Sequence, residues 1–129
     1  MLDRDTTVRR IAALRDCLEV GLLERIRDCF RTVPEGVKRS PAITNLCFPG
    51  IESESLLFLL ERRGISASAA SSCSSGAQEP SHVLEAMGIS REAALGSLRL
   101  SLGYGTTEAE IDYALQVIPD VVEHLQGQV

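Results

Sequence analysis

The stretch Ser71-Ser72-Cys73-Ser74-Ser75-Gly76 sets one cysteine among small, polar, flexible residues. No bulky neighbour is there to bury it, so Cys73 reads as a thiol held out on a loop, where it can react. The residues that follow, Gln78-Glu79-Pro80-Ser81-His82-Val83-Leu84, read as the start of a helix. The positive end of a helix modestly favours a thiolate over a thiol, so this spacing suits a sulfur nucleophile. The other three cysteines sit differently. Cys17 and Cys29 have helix-like surroundings, and Cys47 lies in an apolar, strand-like run. All three read as buried or half-buried small residues. No pair has the C-x-x-C spacing of a metal or redox site.

A second group with chemical capacity is Arg99. From Ser97 to Leu102 the chain alternates, with Leu98, Leu100 and Leu102 on one face and Ser97, Arg99 and Ser101 on the other. That is the pattern of a half-buried strand. Taken alone, Arg99 is an ordinary solvated strand residue, and Cys73 is either a reactive thiol or an inert loop residue. His82 at a helix start reads as structural, and His124 near the end of the last helix suits the dipole there.

The elements that must position these residues follow from periodicity and punctuation. From about Asp5 to Phe30, Val8, Ile11, Leu14, Leu18, Leu22 and Ile26 form an apolar helix stripe, with Arg9, Arg10, Arg15, Asp16, Glu19 and Arg25 mostly outside it. Ala42 to Phe48 reads as a strand closed by Pro49-Gly50. Ser53 or Ser55 opens a helix from Leu56 to Arg63, and Gly64 stops it. Ile65 to Ser68 reads as a short strand leading into the cysteine loop. Pro80 fits the first turn of a helix ending near Gly88, and Ser90-Arg91-Glu92-Ala93 starts another. Thr107 and Glu110 make a capping box for the last helix, which Pro119 is expected to kink or interrupt. The mixture predicts an α+β fold: a small two-layer sandwich, with helices covering one face of a short, mainly antiparallel sheet.

The chain has 129 residues, 44% of them hydrophobic and 24% charged, which fits a single domain spanning residues 1–129. A net charge of −5 argues against a nucleic-acid-binding surface. No apolar run is long enough for a membrane span. Met1-Leu2-Asp3-Arg4-Asp5 lacks the pattern of a signal peptide. The expectation is a cytoplasmic protein.

The segment from Ile65 to Leu125 resembles the C-terminal part of the cysteine desulfurases of the NifS/IscS group, class V, fold-type I pyridoxal-phosphate enzymes. The resemblance rests on Ser68 through Gly76, Glu79-Pro80-Ser81-His82-Val83-Leu84, Ala86-Met87-Gly88, Gly96 through Gly103, and Thr106 through Asp112. Upstream, Asn45-Leu46-Cys47-Phe48-Pro49-Gly50 is similar to a family strand, and Ala12 through Asp16 is similar to the helix linking the family's two domains. The resemblance implies that Cys73 is the persulfide nucleophile, taking sulfur from L-cysteine with release of alanine. It implies that Arg99 binds the substrate carboxylate, and that the sulfur passes to an acceptor protein for iron–sulfur cluster assembly or transfer-RNA thiolation. It also implies pyridoxal phosphate as cofactor and a homodimeric parent.

Against the family pattern, the large domain that binds pyridoxal phosphate is missing from this sequence. The one lysine, Lys38 in Val37-Lys38-Arg39-Ser40, follows no histidine and does not match the Schiff-base lysine. Ala42 stands where asparagine is frequent, Ser72 replaces alanine, and Tyr104-Gly105 replaces an Arg-Phe pair on the rim near Arg99. The expectation is therefore the small C-terminal domain of a desulfurase, inactive alone and needing a cofactor domain in cis or in trans. The alternative is a stand-alone sulfur carrier or an inactive fragment.

Overall fold

A computed structural model describes residues 4–32, 40–69 and 96–127. In chain order the elements are α1 (Arg4–Arg25), β1 (Phe30–Arg31), β2 (Ile43–Cys47), α2 (Ser53–Arg62), β3 (Ser68–Ala69), β4 (Ser97–Ser101) and α3 (Glu108–Gln126). The strands form one sheet in the order β1-β2-β4-β3, antiparallel at every step. This is the α+β two-layer sandwich that the pattern implied.

One face of the sheet is dry. Thr44, Leu46, Leu98 and Leu100 are buried there. Against them pack Leu14, Leu18 and Leu22 of α1, Leu56 and Leu60 of α2, and Ile111, Ile118 and Val122 of α3, all in one apolar cluster. The buried residues of α1 recur at steps of three and four, so a single helix stripe carries its contact. Burying a leucine or isoleucine side chain is worth about 1.5–3 kcal/mol, so this layer supplies most of the driving force.

Four local expectations are corrected. Arg15 and Glu19 are not solvated. They are 8% and 2% exposed. Glu19 lies 3.8 Å from Arg15 Nε and 3.5 Å from Arg31 Nε. The Arg15 guanidinium also donates to the carbonyls of Ser40 and Ile43, at 3.1 and 3.3 Å. A helical wheel marks these positions as polar. Besides each other, the partners that make their burial tolerable include Arg31 and the Ser40 and Ile43 carbonyls, which come from outside the helix. Second, neither Ser53 nor Ser55 caps α2. The N-cap is Glu52, with no side-chain cap bond, and Ser53 is buried in the first turn. Third, Ser97, placed on the polar face, is fully buried. Fourth, Pro119 does not interrupt α3, which runs unbroken through it. Val117, Ile118, Val121 and Val122 are buried on either side and hold the segment against the core despite the missing N–H.

Other signals are met. Thr107 and Glu110 form the reciprocal capping box. Gly64 has φ +83°, Gly64 N–H donates to Glu61 O at 3.0 Å, and Ile65 N–H donates to Leu60 O at 2.9 Å. This is the Schellman ending, which glycine reaches without a Cβ penalty. The helix starts expected at Pro80 and Ser90 lie outside the described residues. No helix among the described residues is long and apolar enough to cross a membrane.

Candidate functional site

Arg99 is the middle residue of β4, one of the two inner strands. Its direct cross-strand partners are Asn45 on β2 and Ser68 on β3. Residues paired this way in an antiparallel ladder point to the same face, with Cβ atoms about 4.5–5.5 Å apart. Asn45, Arg99 and Ser68 therefore form a row across three strands, on the face turned away from the core. Ile43, Cys47, Ser97 and Ser101 share that face by the period of two. Arg99 is exposed, while Asn45 and Ser68 are half-buried.

The electrostatics of this face are simple. Arg99 is the one charged side chain among these positions. Among the described residues it makes no ion pair and no side-chain hydrogen bond. An unneutralised guanidinium presents a planar fork of donors, which matches a carboxylate through two parallel hydrogen bonds. Among the described residues the same face offers amide and hydroxyl groups beside this one guanidinium, which suits an anionic ligand.

Cys73, Lys38 and His82 lie outside the described residues. In the sequence Cys73 follows Ala69, the last residue of β3, by four positions. The chain that carries it re-enters the sheet at Gly96, directly before β4. That re-entry is tight. Gly96 O accepts from Phe48 N–H at 3.0 Å. A Cβ on Gly96 would meet the backbone carbonyl oxygens of Phe48 and Ile51. Only glycine passes here. Both ends of the cysteine-bearing segment are thus fixed in neighbouring strands, one of which holds Arg99.

Beyond β4 the rim is also tied down. Gly103 N–H donates to Thr106 Oγ1 at 2.9 Å, and Thr106 N–H donates to Gly103 O at 3.1 Å. Arg10 of α1 reaches across to donate to the carbonyls of Tyr104 and Thr106. Tyr104 itself stands 76% exposed. Beside the end of β4 opens a hollow of about 490 Å³, lined in part by Ser101, Leu102, Thr106 and Tyr113.

The remaining thiols divide by burial. Cys47 is buried and Cys29 half-buried, but Cys17, expected to be at least half-buried, is exposed on α1. The spacing of α1 puts Cys17 one residue before Leu18, off the buried stripe. Burial pushes the Cys29 thiol up to about 12, helped by Cys47 and Glu19 nearby. Burial likewise pushes Cys47 up to about 11. His124 lines a shallow hollow with Arg62, Arg63 and Asp120, far along α3 from the capped end.

Sequence reasoning singled out Arg99 but missed its neighbours Asn45 and Ser68. It also missed Arg10, whose partners are backbone carbonyls. Asn45 stood inside a recognised strand motif. Only the register shows which residue faces it.

The profile of the Aminotransferase class-V family matches residues 2–114. Over 123 residues the chain is 44% identical to "Cysteine desulfurase" of Trichormus azollae, covering 95% of this chain and 30% of that protein. Over 117 residues it is 44% identical to "Cysteine desulfurase NifS" of Azotobacter vinelandii, covering 91% of this chain and 29% of that protein. Among solved structures, one titled "NIFS-LIKE PROTEIN" superposes with a TM-score of 0.76 at 29% identity, over 94% of this chain and 29% of its own. The chain thus spans about 30% of the length of the curated relatives it matches.

Proposed function

The chain belongs to the class-V aminotransferase family, and from that premise we propose that it is the part of a cysteine desulfurase that supplies the substrate-carboxylate clamp and the sulfur-accepting thiol. The observation that carries this is the Arg99 guanidinium, exposed and without an ion pair among the described residues, set between the neutral side chains of Asn45 and Ser68 and beside the strand that leads toward Cys73.

Arg99 holds the carboxylate of L-cysteine through its two-pronged donor set. The inner strand fixes the backbone of Arg99, so its side chain starts from a set position on the sheet face. Cys73 then takes the substrate's sulfur atom. A sulfur–sulfur bond forms at Cys73 Sγ, the substrate's carbon–sulfur bond breaks, and alanine leaves. The resulting persulfide passes its outer sulfur to an acceptor protein, a scaffold for iron–sulfur clusters or a component of transfer-RNA thiolation. Pyridoxal phosphate, general to this family, supplies the electron sink that labilises the carbon–sulfur bond. The one lysine of the sequence, Lys38, follows no histidine and does not match the family's Schiff-base lysine, so the proposal assigns the cofactor to a large domain supplied in cis or in trans. That assignment agrees with relatives about three times as long. The parent enzyme in this reading is a cytoplasmic homodimer.

The test uses the chain assembled with a pyridoxal-phosphate domain and given L-cysteine. Wild type is expected to release alanine and to carry persulfide at Cys73 by mass spectrometry. Cys73→Ser removes the persulfide. Arg99→Ala is expected to raise KM for L-cysteine about tenfold to a hundredfold, the range for a lost charged hydrogen-bond pair. Its KM for L-cysteine methyl ester should hold. An unchanged KM for L-cysteine in Arg99→Ala would sink the clamp.

A further inference from the structure

We propose that Asn45 is the second member of the carboxylate-recognition pair: a specificity residue beside the Arg99 fork, whose amide adds a donor to the bound carboxylate. The inference rests on the reading of Arg99 given above and goes beyond it in naming the neutral group that shares the carboxylate with Arg99 and sets the ligand's charge.

Three observations converge on Asn45. It is the direct cross-strand partner of Arg99, the closest side-chain relationship that an antiparallel ladder provides. Its own backbone is held from the other side, since Asn45 O accepts from Thr32 N–H at 3.1 Å and from the Thr32 hydroxyl at 3.4 Å. β2 is therefore fixed on both flanks at this position. Finally, Asn45 is half-buried beside an exposed guanidinium that has no acceptor of its own among the described residues.

The amide is the side chain that suits this place. Its carbonyl oxygen accepts from a guanidinium, and its NH2 group donates to a carboxylate, so one residue can serve both. A carboxylate here would neutralise Arg99 and repel an anionic ligand. A hydrocarbon would offer the carboxylate no donor. Ser68, the partner on the other side, is a weaker candidate. It has a shorter reach and sits on a two-residue strand at the sheet edge. The face thus carries one net positive charge with an uncharged partner beside it, which selects a single carboxylate, as in an unmodified amino acid, over dianionic ligands.

The experiment compares wild type, Asn45→Ala, Asn45→Asp and Arg99→Ala in the assembled enzyme. The isosteric aspartate keeps the strand's shape, so the set remains informative should the alanine variant fold poorly. Two readouts are taken: KM and kcat for L-cysteine against its methyl ester, and calorimetric binding of L-alanine against alaninamide. Asn45→Ala is expected to weaken L-alanine binding and raise KM for L-cysteine by about tenfold, with kcat within twofold and with the ester and amide unchanged. Asn45→Asp should be as poor as Arg99→Ala. Joined with Arg99→Ala, Asn45→Ala should cost less than the two single losses added, because both side chains bind the same carboxylate. Equal losses for carboxylate and amide ligands, full additivity, or wild-type L-alanine binding in Asn45→Asp would each overturn the proposal. If Arg99→Ala alone leaves carboxylate binding intact, the clamp itself has failed. If only the Asn45 variants are silent, the clamp stands and the pairing falls.

Discussion

At the scale of single residues, thiol chemistry depends on how well the surroundings tolerate the anion. Cys29 and Cys47 keep their protons because their thiolates would be desolvated. At pH 8 both are expected to resist iodoacetamide in the native state, while exposed Cys17 is alkylated. Cys73, in the proposed role, should label as well, and peptide mapping reads all four sites. The same burial sets an alkaline limit. Below the ordinary thiol value of 9.0, folded and unfolded chains both hold these protons, and stability is indifferent to them. As pH rises from 9 toward 12 the unfolded chain gives them up first and the native chain keeps them, so unfolding becomes easier. Urea midpoints should fall across that window. Cys29→Ser, whose hydroxyl stays protonated there, should lessen the fall. Arg99 shows what a residue alone conveys. Taken alone it read as a solvated strand residue, and the family resemblance implied its carboxylate partner, while its lack of a neutralising neighbour among the described residues became visible only with β2 and β3 beside it.

Individual elements were read well where the signal was local. The Thr107–Glu110 box closes within one helical turn, with Glu110 N–H donating to Thr107 Oγ1 at 3.2 Å. Thr107→Ala is expected to cost about 1 kcal/mol in urea unfolding. Gly64 ends α2 by the same kind of short-range geometry. The α2 start was misplaced because Ser53 has the right type for a cap but is buried inside the first turn. Gly96 is the element-scale feature with the most at stake. Its missing side chain lets the cysteine-bearing segment re-enter the sheet under two backbone carbonyls, which cannot retreat as a flexible side chain would. Gly96→Ala should destabilise by about 1–3 kcal/mol. It should also lower sulfur transfer more than Thr107→Ala does, since it displaces β4 and with it Arg99. Equal activity in the two variants at matched stability would separate the re-entry from the site.

At the scale of the whole molecule, the described residues form a layer of three helices on one face of a sheet whose other face presents Arg99. In the proposed reading that open face meets a cofactor domain, so the 129-residue chain mixed with pyridoxal phosphate and L-cysteine is expected to form no alanine above the cofactor-only background. Alanine formed at an enzyme-dependent rate would overturn the need for a second domain. The sequence by itself determined the α+β class, the amphipathic stripe of α1, the strand of Arg99, the capping box and the family, because each is written in short-range periodicity or in a motif of consecutive residues. Only the tertiary structure decided that Arg15 and Glu19 are buried together, that Cys17 is exposed, that Pro119 is carried through an unbroken helix, and that Asn45 faces Arg99. These depend on contacts between residues tens of positions apart: Arg15 with Ile43, Asn45 with Arg99. Strand register and helix rotation settle such contacts, and both are fixed when the apolar layer closes. A one-residue slip of β2 would turn Leu46 out of the core and Asn45 into it. The hydrophobic cost of that slip holds the amide opposite the guanidinium.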